Sequence, residues 1–364
     1  MGYFKNIYFD NYRNFEKLSL NFGNNSNVLF GINGSGKTNI LEGISLFDKG
    51  RGFRKDKIIN LINFNNNLKN FNIKSNFQNQ DLEFNINIFN SEKNLKKLLI
   101  NDSNDRDSAK HFESIFSIIY FLPEMERLFL ASPSFRRNFL DRLIFTFNKK
   151  YNLVINNYKK AINERNLLLK KNNYDENWIS SIEYNIVKFG CDIYKQRINH
   201  TNIINKIIKQ INRKNNFSKD FVLQIRDNLL EEFSTIYEDE EKYLNELKNR
   251  RKYDFLSGGS SIGPHRSDFF GINNENNFNL NQLSTGQQKT IVLLIILAQS
   301  KYLIETLNLQ PIILLDEICS HLDKANREIL LYLINEINVQ VFMTGTDKKY
   351  FSFLSTNTNY CYIN

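Results

Sequence analysis

The octapeptide Gly31-Ile32-Asn33-Gly34-Ser35-Gly36-Lys37-Thr38 sets three glycines, a lysine and a threonine at the spacing that wraps a polyphosphate. Glycines let the chain curl until backbone N–H groups face anionic oxygens, and a helix beginning at this point adds its positive end. Lys37 supplies the charge to neutralise β- and γ-phosphates, and Thr38 supplies a hydroxyl suited to Mg2+. Gly31, Asn33, Gly34, Ser35, Gly36, Lys37, Thr38 and Asn39 are therefore the expected nucleotide-binding set, with ATP and Mg2+ as the cofactors. The short apolar run Val28-Leu29-Phe30 before the loop reads as a buried strand, and Ile40, Leu41, Ile44 and Phe47 after it are spaced as on a helix.

A second constellation is Ile312-Ile313-Leu314-Leu315-Asp316-Glu317, an apolar strand that delivers two acids at its C-terminal end. Open α/β sheets place their ligands there. Asp316 is expected to join Thr38 in the metal shell, and Glu317 to polarise the attacking water; with Lys37 these make up the expected catalytic set. A third is Leu283-Ser284-Thr285-Gly286-Gln287-Gln288-Lys289, at the start of an apolar helix. It reads either as an ordinary N-cap by Ser284 or as a second anion cradle formed by Ser284, Gly286 and Gln287. One nucleotide cannot use two cradles of the same subunit, so the second reading calls for two copies facing each other.

These motifs need elements to carry them. Ile7 to Phe9 and Leu18, Leu20 and Phe22 alternate as strands do; Leu82, Phe84, Ile86 and Ile88, followed by Leu98 to Ile100, predict a β-hairpin. Beyond Pro123 the spacing turns helical across Phe135 to Leu169, Trp178 to Ile211 and Phe221 to Leu247, without the sustained heptads of a long coiled coil. After Gly258-Gly259, strand and helix alternate again, with Ile312 to Leu315 and Val339 to Met343 as buried strands. The fold class predicted is α/β, a P-loop ATPase head with a mixed sheet, its core formed by residues 1–122 and 258–364 and interrupted by a mainly helical lobe over 123–257.

Bulk properties narrow the class. A chain of 364 residues with 41% hydrophobic and 24% charged residues can bury a sizeable core. The net charge of +9 favours polyanionic partners without choosing one. Cys191, Cys319 and Cys361 have no paired spacing, which suits a reducing compartment and excludes a disulfide framework or a zinc site. The N-terminus lacks the pattern of a signal peptide, and Ile291 to Ala298 is far short of the roughly 20 residues that span a bilayer. A cytoplasmic location is expected.

Taken in order, phosphate loop, Ser284 loop, acid pair and Ser320-His321-Leu322-Asp323 resemble the ABC-type ATPase superfamily. The 245 positions from Thr38 to Leu283 exceed what transporter subunits leave there and fall short of long coiled-coil chromosome proteins. Further stretches resemble the RecF family of bacterial recombination mediators: Asn11-Tyr12-Arg13-Asn14-Phe15, Asn33 through Glu42, Gly50-Arg51-Gly52-Phe53-Arg54, Pro123-Glu124, Ser132-Pro133-Ser134, Arg136 through Asp141, and Gly263-Pro264-His265-Arg266. The departures are Met125 and Ser267, where the family pattern has acids, and Thr285, where transporters carry glycine.

The resemblance implies a DNA replication and repair ATPase, an ATP-dependent homodimeric clamp at gapped or junction DNA, with RecO and RecR as partners and RecA loading as the outcome. It also draws Arg13 and Arg54 toward the nucleotide, although such arginines otherwise make surface ion pairs. Arg136-Arg137, Lys149-Lys150, Lys159-Lys160, Lys170-Lys171 and Arg250-Arg251-Lys252 are candidate contacts to DNA phosphates, or solvated helix faces. The alternative functions are an ABC-type subunit of another assembly not acting on DNA, a fusion to a nuclease, for which the 18 residues after Thr346 are too few, and a nucleotide-binding scaffold without turnover.

Overall fold

The computed structural model describes residues 2–65, 68–171, 174–215, 220–318 and 323–364, the side chains at 106, 214, 215 and 333 excepted. Contacts divide the chain into two units, Met1–Glu126 with Lys289–Asn364, and Arg127–Gln288.

Alternating apolar residues near the N-terminus build an antiparallel sheet in the first unit. Its strands β1 (Gly2–Phe4), β2 (Asn6–Tyr12), β3 (Phe15–Asn21), β5 (Asn72–Asn79), β6 (Leu82–Asn90) and β7 (Lys96–Ile100) run in the order β3-β2-β5-β6-β7, with β1 beside β5. The expected hairpin is the β6–β7 pair, in which Ile86 faces Ile100 and Ile88 faces Leu98. The continuous apolar runs form a second, wholly parallel sheet from β4 (Ser26–Phe30), β8 (Phe116–Phe121), β11 (Gln310–Leu315), β12 (Gln340–Gly345) and β13 (Asn359–Tyr362), ordered β13-β4-β12-β11-β8. Parallel strands covered on both faces have no solvated side, so β8 and β12 are buried at every position. The mixed sheet expected from sequence is thus resolved into two sheets. Gln340 links them by exchanging hydrogen bonds of 2.9 and 2.8 Å with the Phe4 backbone. Phe4 in turn packs on Phe47, Phe77 and Phe116, with ring centroids 5.0 to 5.9 Å apart. Helices α1 (Lys37–Ser45) and α2 (Arg106–Ile115) complete this half.

In the second unit, α3 (Pro133–Phe145) starts with Ser132 accepting from the Phe135 N–H and with proline at the first helical position. Helices α4 (Tyr151–Leu169) and α5 (Glu176–Asn215) pack against each other. Between them and α6 (Asn228–Glu232), α7 (Glu240–Asn249) and α8 (Arg251–Ser257) lies a buried ionic knot. Arg165 is fully buried and donates to Glu183 Oε1 (2.9 Å), Asp254 Oδ2 (2.6 Å), Ser260 Oγ (2.9 Å) and the Leu247 carbonyl (2.7 Å). A guanidinium so far from water is tolerable only with its donors engaged and its charge matched.

One segment read as helical is corrected. Phe221 to Leu247 opens with strand β9 (Phe221–Arg226), paired antiparallel with β10 (Asp268–Asn273), before the helices α6 and α7. Phe221 and Leu223 point inward and Gln224 outward, a two-residue period that the helical spacing further on had masked. The β9–β10 pairing also holds the chain beyond residue 258 to the second unit, which extends to Gln288.

Helix α9 (Thr285–Leu307) is long and apolar enough, by length and composition, to cross a membrane. Its central run Ile291 to Ala298 is buried within the protein at 0 to 1% exposure, as a core helix is. Helix α10 (Lys324–Asn335) precedes β12 and is capped by Asp323, whose carboxylate accepts from the Asn326 N–H. Cys319, Ser320, His321 and Leu322 lie outside the described residues.

Candidate functional site

Strands β4, β11 and β12 run parallel and end side by side, and the loops that leave their C-terminal ends form the site. From β4 the chain turns through Gly31 to Gly36 into α1. Gly34 and Gly36 adopt φ of 88° and 100°, in the region where a side chain is strained. A Cβ on Gly36 would stand 2.5 Å from Asn14 Nδ2 and from the Phe15 ring. At Gly31 the Ile363 carbonyl oxygen would be 2.0 Å from any added Cβ. Asn33 and Gly34 are exposed, at the open rim of the loop.

Lys37 is buried to 6% exposure, and its Nζ donates to the carbonyls of Gly31 (2.8 Å) and Ile32 (2.7 Å). Burial lowers the Lys37 pKa, and the carboxylates of Glu317 and Asp316 pull it the other way. Ser35 Oγ is buried with no protein partner, an unmet hydrogen-bonding group inside the loop.

The expected Thr38–Asp316 pair forms. Thr38 Oγ1 donates to both Asp316 oxygens at 3.0 and 2.9 Å, and Thr344 Oγ1 at the end of β12 donates to Asp316 Oδ1 at 2.7 Å. Thr344 then accepts from the Glu317 N–H at 2.7 Å. Glu317 is exposed, with φ of 49°, a left-handed turn that re-aims its carboxylate relative to the strand. Sequence reading missed Thr344. Its one signal is a hydroxyl interrupting an otherwise apolar buried strand, next to Gly345.

Arg13 and Arg54, drawn toward a nucleotide by resemblance, are held by α1. The Glu42 carboxylate, fully buried, accepts from Arg13 Nε (3.0 Å) and Nη2 (2.7 Å) and from Arg54 Nη1 (2.9 Å). Arg54 also donates to Asn39 Oδ1 (2.7 Å), and Asn39 Nδ2 donates to Asn14 Oδ1 (2.8 Å). These two arginines therefore brace the phosphate loop and its helix, and Asn39 belongs to that brace.

Ser284, Gly286 and Gln287 lie in the second unit and are exposed. Ser284 Oγ accepts from the Gln287 N–H (3.3 Å) while Gln287 Oε1 accepts from the Ser284 N–H (3.0 Å), a reciprocal cap on α9. A Cβ on Gly286 would meet nothing within 4 Å, so this first turn is open to solvent. His265 turns out to be a turn residue of the second unit: Tyr158 OH lies 2.7 Å from its Nδ1 and the Ser260 carbonyl 3.0 Å from its Nε2. Ser267, in place of an acid, accepts from Arg197 at 3.0 Å, and Met125 is buried. Asp347 caps its own turn and pairs with Lys349 at 3.1 Å.

Of the basic candidates, Arg136 pairs with Asp268 at 2.7 Å, Arg137 donates to the Ser267 carbonyl, Arg250 pairs with Glu232 and Glu246, and Arg251 pairs with Glu183 and Glu176. Those four serve the unit's own packing. Lys150, Lys159, Lys160, Lys170, Lys171 and Lys252 are exposed.

The donor set fits a magnesium nucleotide. Mg2+ takes hard oxygen ligands and keeps water and phosphate in its shell, so one carboxylate and one hydroxyl from protein suffice. No cluster of three or more His, Cys, Asp or Glu side chains suited to another metal occurs among the described residues. The unmet Ser35 hydroxyl and the Cβ-excluding turn at Gly36 suit a polyphosphate.

A parallel sheet carrying this loop, helix and acid pair defines a P-loop ATPase head of the ABC/SMC kind. Residues 3–361 match the family of RecF/RecN/SMC N terminal domains. The chain is 33% identical over 341 residues to the DNA replication and repair protein RecF of Rickettsia typhi, covering 93% of this chain and 92% of that protein. It is 34% identical to that of Rickettsia prowazekii over 344 residues, with the same coverage. Among solved structures it resembles the recombination mediator protein RecF-ATPrS in the RecFOR pathway, with a TM-score of 0.83 and 25% identity over 100% of this chain and 96% of that one. A RecF-ATP structure matches with a TM-score of 0.75 and 28% identity over 95% and 94%. An Smc head domain from Pyrococcus furiosus shares the fold alone, with a TM-score of 0.53 at 17% identity over 97% and 92%. The chain belongs to the RecF family of DNA replication and repair proteins, within the RecF/RecN/SMC group.

Proposed function

We propose that this protein is an ATP-driven dimeric clamp of recombinational repair and replication, acting at gapped or junction DNA. Gly31, Asn33, Gly34, Ser35, Gly36 and Lys37 hold the triphosphate, while Thr38 and Asp316 hold Mg2+ and Asn39 braces the loop. Held by Thr38 and Asp316, Mg2+ would supply positive charge to offset that developing on the phosphates during transfer. Glu317 accepts the proton of the attacking water; Lys37 stabilises the β and γ oxygens. Ser284, Gly286 and Gln287 of a second copy close each site, so the nucleotide joins the two protomers and hydrolysis releases them.

The observation that carries this reading is the Thr38–Asp316–Thr344 cluster beside Lys37. Turnover is slow and DNA-stimulated in this account, the location is cytoplasmic, and RecO and RecR act beside it on single-strand gaps. Exposed lysines along α4 and its C-terminal turn contact DNA phosphates, which makes binding independent of sequence.

DNA binding by the wild type and Lys37→Ala, titrated with gapped, blunt and single-stranded DNA in Mg·ATP, tests the switch. Wild-type binding is expected to need ATP, to favour the gapped duplex, and to weaken at least about tenfold between 50 and 200 mM salt, as several phosphate contacts require. Equal binding by both proteins in every nucleotide state, or a flat salt response, contradicts it.

A further inference from the structure

Two tethers fix the turn at Glu317. Upstream, its N–H donates to Thr344 Oγ1 at 2.7 Å, as described. Downstream, the carbonyl of Ile318 accepts from Lys289 Nζ at 3.0 Å. Lys289 stands in α9, four residues past Thr285, and its side chain is 4% exposed. Its ammonium is matched by Glu126 Oε1 at 2.7 Å and lies 6.0 Å from the centre of the Phe121 ring, on the strand that pairs with β11. A buried ammonium on so short a leash is a poor surface charge and a good anchor.

Backbone strain gives that anchor a task. A non-glycine residue in the left-handed region is strained, so it persists only where the surroundings hold it. Glu317 has φ of 49° with fixed hydrogen bonds on either side of it. Freed of the bond to its carbonyl, Ile318 can shift, and the turn before it can then relax toward ordinary dihedrals and swing the Glu317 carboxylate off its aim. We propose that Lys289 is a positioning residue for the ATPase reaction: by holding the Ile318 carbonyl it sets the left-handed turn that points Glu317, with Glu126 fixing the ammonium in place. The proposal rests on the reading of Glu317 as the base.

The test is a cycle of single-turnover ATP hydrolysis on the full-length protein with Lys289→Met, Glu317→Gln and the double variant, with ATP affinity measured alongside. Lys289→Met is expected to slow hydrolysis about tenfold or more, as misplacement of a reacting group by an ångström does, with ATP affinity changed less than about twofold. In the Glu317→Gln background the same change is expected to alter the residual rate less than about twofold, because the group it aims is gone. An equal fall in both backgrounds, or a parallel loss of ATP affinity, overturns the positioning role. If Glu317→Gln alone leaves the rate unchanged, it is the base assignment that fails. Should Lys289→Met not fold, Lys289→Met combined with Glu126→Gln, which leaves no unmatched carboxylate, enters the same cycle. The exchange Glu126→Lys with Lys289→Glu separates packing from positioning: it restores the ion pair without a donor to Ile318, and recovery of wild-type rate by it also refutes the proposal.

Discussion

At Gly36 the requirement for a particular amino acid is steric before it is chemical. The residue is left-handed at φ of 100°, and any Cβ meets Asn14 and Phe15 at 2.5 Å. Gly36→Ala is therefore expected to destabilise the first unit by about 1–3 kcal/mol and to weaken ATP binding at least about tenfold, measured by thermal melting and by nucleotide titration. Unchanged affinity contradicts the close-wrapped loop. Residues such as Lys37, Thr38, Asp316 and Glu317 are legible in the sequence because the chemistry is written into a local pattern of residue types. Thr344 and the Arg13–Glu42–Arg54 brace are not, since their partners come from strands and turns distant in sequence. The brace also corrects the expectation that two arginines near the loop serve the nucleotide directly.

Elements behaved according to how much of their pattern is local. Strands β4, β11 and β12 announced themselves as apolar runs, as did the core of α9, and α4 and α5 by their spacing; β8, broken by Ser117, and the polar-aromatic β13 did not. Strand β9 did not, because six residues between two helical stretches offer only three turns of alternation, and its partner β10 lies 42 residues beyond its end. The turn that carries Gly263 to Arg266 shows what such local reading leaves out. His265 there bonds Tyr158 of α4 and the Ser260 carbonyl. Burial, aided by the nearby Arg266 and Arg137, pushes its pKa down to about 4 from an ordinary 6.5, against the smaller opposing pull of the Ser260 carbonyl and Asp254. The native ring is thus neutral while the unfolded ring binds a proton below pH 6.5, so this contribution is complete above pH 6.5 and is lost as pH falls toward 4. Its size is a few kcal/mol, roughly 3 at most. Melting at pH 7 and pH 5 should show the wild type losing more stability than His265→Gln over that interval; equal losses would remove the ring from the account.

For the whole molecule, long-range topology was the least legible part. Nothing local states that β4 lies between β12 and β13, yet that order brings Thr38, Asp316 and Thr344 together. The Ser284 cap belongs to the other unit and is exposed. A ligand shifts an equilibrium only by its differential affinity for the two states, so in the proposed clamp nucleotide favours the dimer by as much as the second copy tightens its binding. Sedimentation velocity of the wild type, Lys37→Ala and Ser284→Arg, each with and without saturating Mg·ATP, addresses this directly. The account predicts a dimer for the wild type with Mg·ATP alone and single protomers in every other sample. A wild type that binds ATP to saturation and still sediments as one protomer contradicts it.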